Sequence, residues 1–507
     1  MSSFAPLIRL EEPPLLFKYG QSVEDPRDGL TLFGPLDEGK PYGVRAGIIG
    51  TTAGRKRFRK WVERIQGSIS NDPPRVGRPM FPGFEAAFHI PWSTTPAIEL
   101  DVSSTELSRR VLIADPHQRV YQTVNLFSSA IIEALRTEET KPDMWFVIVP
   151  DEVHQYCRPK SIVAVSLRVE ADQRMNPRWA RRMNSEPFLL SEETEAATPY
   201  QFEVNFHNQL KGRLLEHNAP TQIIRETTIA HRDFLNASGH PRRRLDELQS
   251  AIAWNLCSTA FYKCGGRPWK ITSIRPGVCY IGLVFKREDN SPDPRSACCA
   301  AQMFLDSGDG VVFRGNVGPW YVPDTGDYHL DADAARELVT KAVKAYRLKH
   351  DGKAPKELFI HGKVRFEERE WTGFREAAGP KTNLVGVRIR PEGDLRFYRR
   401  GDQPILRGLA YVRDNRTAYL MTKGFTPRLR TYPGREVPRP LLVDVCKGDV
   451  AIETVLNDLM ALTKLNYNAC IFADGEPVTL RFADAIGEIL TSGPFANVPP
   501  LPFKHYI

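Results

Sequence analysis

Six consecutive apolar residues, Met144-Trp-Phe-Val-Ile-Val149, end at Pro150 and follow a stretch, Val120 to Leu135, whose apolar residues recur at helical spacing. A run so short and so apolar reads as a strand buried on both faces, and proline ends it because it brings no N–H to a ladder. A second such unit precedes it: the strand Val44-Arg-Ala-Gly-Ile-Ile49, the turn Gly50-Thr-Thr-Ala-Gly54 and a basic helical segment from Arg55 to about Ile65. Strands that alternate with helices predict a parallel α/β sheet. The pattern resumes with Phe206 to Leu215, Gln222 to Arg225 and the helical stretch Arg244 to Tyr262, while residues 170 to 200, polar with Glu192, Glu193 and Glu195, read as a loop or flap.

From Gly277 the character changes to a β-rich run: Val278 to Phe285, Ala300 to Phe304 and Gly310 to Phe313. A helix from Ala332 to His350 and the strand Glu357 to His361 follow, the order of a ribonuclease H-like fold. Strands around Val385 to Arg390 and Tyr411 to Thr422 and helices at Ala451 to Leu465 and Phe482 to Leu490 complete the chain. A boundary near Pro276 therefore separates a Rossmann-like domain of residues 45–275 from a ribonuclease H-like domain of residues 276–507. Residues 1–44 hold three turn signals, among them Asp25-Pro-Arg-Asp-Gly29, and are expected to be an extended lead-in.

At 507 residues the chain exceeds what one core usually serves. No apolar run approaches the roughly 18 residues that span a bilayer, and Met1 to Leu10 lacks the basic and apolar segments of a secretory leader, so the cytoplasm is the expected location. Eight cysteines without a CxxC repeat are expected to be reduced thiols. A formal charge of +8 favours a polyanionic partner. The turn at Gly50 is not an ATPase loop, because Gly54 is followed by Arg55, Lys56 and Arg57 instead of Lys and a hydroxyl residue.

The most informative region lies between Phe206 and Trp269. His207 and Lys211 are four apart and share one face of a helix; Gln222 follows, and Lys263 closes a helix at Cys264-Gly-Gly266. A compact ammonium, an imidazole and an amide are the donors a phosphate takes. This frame, with Ala219-Pro-Thr-Gln-Ile-Ile224 and Asn255-Leu-Cys-Ser-Thr-Ala-Phe-Tyr-Lys-Cys-Gly-Gly266, resembles the MID domain of Argonaute proteins. The resemblance implies that His207, Lys211, Gln222 and Lys263 bind the 5′ phosphate of a guide, with Thr221 and Thr259 as additional guide contacts. Thr259 stands where many relatives carry another Lys. It also implies that the carboxylate of Ile507 approaches the pocket and can join a Mg2+ ion there.

The resemblance extends beyond Pro276 to a PIWI domain. A cutting PIWI domain gathers three or four carboxylates around two metal ions about 4 Å apart. Here Val284 stands at the first acid's position and Gly362 at the second, while Asp484 keeps the last. Glu288 and Asp289 lie roughly 13 to 17 Å further along an extended strand. The expectation is no cutting and no catalytic metal, with Asp484 a helix-capping or structural residue. Arginines between Arg388 and Arg430, interleaved with Phe397, Tyr398, Tyr411 and Tyr419, are expected to grip a duplex backbone, and Lys464 is a candidate guide contact.

Roughly 45 residues precede the MID-like region, and Pro13-Pro-Leu-Leu-Phe17 through Phe33-Gly-Pro35 resembles the lead-in of short prokaryotic Argonautes. That resemblance implies a guide RNA, a single-stranded DNA target and a heterodimer with a TIR-APAZ or sirtuin-APAZ effector subunit. It implies further that the heterodimer is able to oligomerise on target binding and that the partner consumes NAD in defence against invading nucleic acid. Two alternatives stand beside it: a guide-directed, metal-dependent endonuclease using Glu288, Asp289, Asp306 and Asp484, and a guide-independent DNA-binding protein.

Overall fold

A computed structural model describes residues 7–171, 175–185, 195–287, 293, 295–305, 310–432, 434, 436–495 and 498–507. Four parallel strands make the first sheet, in the order Ile98–Asp101, Ala46–Gly50, Met144–Val149, Thr221–Arg225. The two central strands are buried at every position, which is why both read as unbroken apolar runs. Phe58, Trp61 and Val62 of the helix Thr52–Arg64 pack against Ile48, Phe146 and Ile148 on one face. Val120, Val124, Phe127 and Ile131 of Pro116–Thr137 pack against Trp145 and Val147 on the other. Each helix starts at a side-chain cap: Thr51 accepts from the Gly54 N–H, and Asp115 from the Gln118 N–H with Pro116 in the first turn.

The second sheet has ten strands. Val278–Arg287, Ala297–Leu305 and Gly310–Gly318 form an antiparallel meander. The helix Ala332–Lys349 then returns the chain to Glu357–Gly362, parallel to Val278–Arg287, and Glu368–Ala378 leads to Asn383–Pro391, parallel again. This is the ribonuclease H-like order. Gly282, central in that sheet, lets the segment Val478–Arg481 press onto it: a Cβ there would stand 1.8 Å from the main-chain oxygen of Thr479. Gly282→Ala is expected to cost about 3 kcal/mol or more, as overpacking against backbone does. Urea unfolding reads this directly, and wild-type stability in the variant would refute it.

Three expectations are corrected. The first 44 residues are not an extended lead-in. Leu7–Arg9 adds an edge strand beside Leu409–Val412, Leu15–Leu16 pairs with Lys270–Ile271, and Pro26–Leu32 is helical, capped by Asp25. Asp-Pro marks a helix start as readily as a turn, and burial of Leu15, Phe17 and Leu30 decides between them. The described part of 170–200 contains the helix Pro177–Ser185 and the turn Thr198–Gln201, with Met183 and Tyr200 in a small core of their own. Glu192 and Glu193 lie outside the described residues. Tyr411 to Thr422 is a hairpin, Leu409–Val412 with Thr417–Leu420, because Asp414-Asn-Arg416 turns the chain. The eight cysteines are free thiols, and no helix among the described residues is long and apolar enough to cross a membrane.

Candidate nucleic-acid interface

Asn205 caps the helix Phe206–Leu215, which sets His207 and Lys211 one turn apart. The strand Thr221–Arg225 lies beside it, and Lys263 comes from the last turn of Gln249–Lys263. Lys211 Nζ donates to the main-chain oxygens of Thr221 at 3.2 Å and Ile507 at 2.7 Å. Lys263 Nζ donates to the same two oxygens at 2.7 and 2.5 Å, and to Gln222 Oε1 at 2.9 Å. Both lysines are buried, 3% and 0% exposed. Among the described residues no side-chain carboxylate bonds to either ammonium.

Burial pushes Lys211 down to about 7. Burial, then the charge of Lys211, holds Lys263 well below the ordinary lysine range. Two buried lysines that share one oxygen of Thr221 and one of Ile507, with no side-chain carboxylate bonded to either, form an arrangement that an anion completes.

An ammonium has three N–H donors. Lys263 meets three acceptors, whereas Lys211 meets two main-chain oxygens and lies within hydrogen-bond reach of the Lys263 amine. Because Gln222 Oε1 accepts from Lys263, the amide NH2 turns away from the lysine and is the free donor. His207 is exposed, with Nδ1 3.0 Å from Asn208 Oδ1. Desolvation by the surrounding protein, then the Lys211 charge, lowers its pKa, so the ring is not a third cation, and its one proton sits on Nδ1 facing the Asn208 oxygen.

Three predicted contacts play other parts. Thr221 serves through its main-chain oxygen. Thr259 donates to Asn255 O at 2.8 Å within its own helix and lies against Tyr467 O. Lys464 does not reach the pocket: its ammonium bonds Glu12 Oε1 at 2.8 Å and sits 4.1 Å from the Phe472 ring centre, with no exposed surface.

Ile507 does meet the pocket, as an acceptor from two ammoniums. A divalent ion prefers several oxygens, carboxylates among them, and no metal-ligating cluster of His, Cys, Asp or Glu occurs among the described residues. The two lysines bring positive charge to the Ile507 oxygen.

Val284, Gly362 and Asp484 converge at the other candidate site. His361 lies opposite Gly282 in the parallel register, which carries Gly362 alongside the 283–284 segment. Val284 is buried, and a Cβ on Gly487 of the helix Ala483–Leu490 would lie 3.5 Å from its Cγ1. A cavity of about 400 Å³ opens beside them, lined by Lys286, Gly362, Lys363, Asp484 and Glu488 among others. Lys363 Nζ bonds both Asp484 oxygens at 3.0 Å, and Lys286 pairs with Glu488 at 3.4 Å. Asp484 is thus not a helix cap; it is the exposed partner of Lys363. Lys363, next to Gly362 in sequence, was not singled out there. Lys286 and Glu488 were not either, because only packing of the helix on the sheet joins them. Glu288, Asp289 and Asp306 lie outside the described residues.

Part of the arginine-rich segment is engaged within the protein. Arg388 pairs with Asp444, Arg407 with Glu12, Arg413 with Asp414 and Arg428 with Asp28, while Arg416 donates to Val445 O.

A Rossmann-like sheet followed by a ribonuclease H-like sheet of this order is the fold of the MID and PIWI halves of Argonaute proteins. Among solved structures the chain is similar to Clostridium butyricum Argonaute bound to a guide DNA and a 19-mer target DNA, with a TM-score of 0.61 and 14% identity over 97% of this chain and 54% of that one. It is similar to Drosophila Piwi, with a TM-score of 0.58 and 13% identity over 99% and 56%, and to A. aeolicus Argonaute, with 0.54 and 13% over 98% and 54%. At such identity the likeness is one of fold, and the chain spans about half the length of these proteins. No protein-family model matches the chain, and no curated protein sequence does.

Proposed function

We propose that this chain holds a guide nucleic acid by its 5′ phosphate and pairs it with a complementary strand without cutting that strand. The observation that carries the reading is the buried lysine pair: Lys211 and Lys263 share the oxygens of Thr221 and Ile507, and among the described residues no side-chain carboxylate bonds either. Lys211 and the Gln222 amide would contact the phosphate, and Lys263 would position Gln222. The guide and target seen on Clostridium butyricum Argonaute support a role of this kind on the shared fold.

The non-cutting half rests on the second site. A two-metal centre needs clustered acids to hold its ions. Here Val284 and Gly362 supply none, and among the described residues lining the cavity Asp484 and Glu488 are paired with Lys363 and Lys286, while Glu370 is held by His329 and the Leu330 N–H. Incubation with a 5′-phosphorylated guide, its complement and manganese tests this. Target retention without a product of guide-defined length is expected; such a product would sink the reading.

A binder that does not cut needs another protein to respond. Following the resemblance of the lead-in, we assign the guide as RNA, the target as single-stranded DNA, and the responder as an APAZ subunit with an NAD-consuming TIR or sirtuin-like domain. Co-purification of such a subunit, and NAD loss only when guide and target are both supplied, are the expected results; NAD loss without target would count against it.

A further inference from the structure

The segment Phe503–Ile507 is clamped to one lysine at two points. Lys504 Nζ donates to the main-chain oxygen of Lys263 at 3.0 Å, and the main-chain oxygen of Ile507 accepts from Lys263 Nζ at 2.5 Å. His505 lies between these clamps. It is 3% exposed, yet neither Nδ1 nor Nε2 has a hydrogen-bond partner among the described residues. Other buried histidines do not share this condition: His361 Nδ1 pairs with Thr479 Oγ1 at 2.9 Å, and His231 Nε2 with Asp246 Oδ1 at 3.1 Å. A buried polar side chain without a partner is rare and costs stability, so it calls for an explanation.

The chemistry around the ring narrows what could satisfy it. The amines of Lys211 and Lys263 lie close enough to act on the ring electrostatically, and Gln222, bonded to Lys263 through its oxygen, offers an amide NH2. The pocket's unengaged groups are therefore donors, and what completes them is a group rich in acceptors. A phosphate monoester presents three terminal oxygens.

We propose that His505 is a further ligand-contacting residue of this pocket, its imidazole N–H donating to the same phosphate that Lys211 and Gln222 receive. The inference rests on the phosphate reading of the pocket and adds a residue to it. Burial first, then the charges of Lys504, Lys211 and Lys263, keeps the ring neutral, so it supplies a hydrogen bond and no charge. With no partner fixing the tautomer, whichever nitrogen faces the ligand can carry the proton. His505 thereby makes the pocket sensitive to oxygen acceptors as well as to negative charge, which favours a phosphate over a chloride ion or a bare ribose end.

The test compares wild type, His505→Phe and His505→Gln for binding 5′-phosphorylated and 5′-hydroxyl oligonucleotides of one sequence. His505→Phe keeps the ring and removes both nitrogens; it is expected to lose about tenfold in affinity for the phosphorylated strand, with the hydroxyl strand unchanged. His505→Gln keeps a donor and is expected to recover part of that loss. Without ligand, His505→Phe should melt no lower than wild type, since the orphan nitrogens are gone. An unchanged preference for phosphate in His505→Phe overturns the proposal, as does an equal loss on both strands, the mark of a merely structural role. If wild type itself shows no preference for phosphate, the reading of the whole pocket fails and this inference with it.

Discussion

Lys211→Met is expected to weaken binding of a 5′-phosphorylated guide by about 100-fold and to leave a 5′-hydroxyl strand within a few-fold of wild type. A charge-assisted hydrogen bond made in a dry pocket is worth roughly 3 kcal/mol, which is that factor. Lys211 is the lysine with fewer acceptors, two main-chain oxygens. Methionine keeps its length and removes the charge. Equal losses on both strands would mean that the lysine supports the fold and not the ligand.

The same residue gives a pH profile with a definite sign. Burial pushes Lys211 down to about 7 in the free protein, and a bound dianion favours its charged form. Binding above pH 7 therefore takes up a proton, and affinity should fall by up to about tenfold per pH unit above 7. Below about pH 6 it falls again, because the phosphate itself gains a proton. Stability of the free protein moves the other way. Between about pH 7 and the unfolded lysine value near 10.4, the unfolded chain holds a proton that the folded chain releases, so this group's contribution to stability rises with pH. Affinity and melting temperature that fell together on going from pH 7 to 9 would contradict this account.

Glu12→Gln is expected to cost about 3 to 5 kcal/mol. Glu12 Oε2 accepts from Arg407 Nε at 2.9 Å and Oε1 from Lys464 Nζ at 2.8 Å; the two cations are 4% and 0% exposed. Arg407 Nη2 also donates to Thr463 Oγ1 at 2.8 Å. Removing the carboxylate leaves two buried cations facing each other, the costly way to break a buried pair. Burial raises the Glu12 pKa and the two cations more than offset it, so the net shift is downward. Its contribution is therefore present above the ordinary carboxyl range and lost as pH falls below it. Because Leu7–Arg9 hangs on the sheet edge just before Glu12, hydrogen exchange should accelerate first at Ile8 and Leu10. Wild-type exchange and an unchanged urea midpoint would refute the prediction.

Much of the architecture was legible because it follows from local periodicity. Met144–Val149 and Val278–Arg287 could only be strands, being short, apolar and bounded by turns. His207 and Lys211 share a face because a helix repeats near four residues, and Gln222 enters because the strand Thr221–Arg225 follows the helix directly. What went astray was long-range charge. Lys464 reads as a free cation until Glu12, 452 positions away, is seen against it. Arg428 reads as a backbone grip until Asp28 arrives across a gap of 400. Neither separation leaves a trace in local spacing.

The sequence by itself determined the two sheets, the frame of donors and the absence of acids at Val284 and Gly362, since each depends on residue identity and short-range period. Only the tertiary structure decided which cations remain uncompensated. A charge buried beside a side-chain carboxylate is cement, and one buried without such a partner is an invitation to an anion; Lys464 and Lys211 are told apart by who their neighbours are in space.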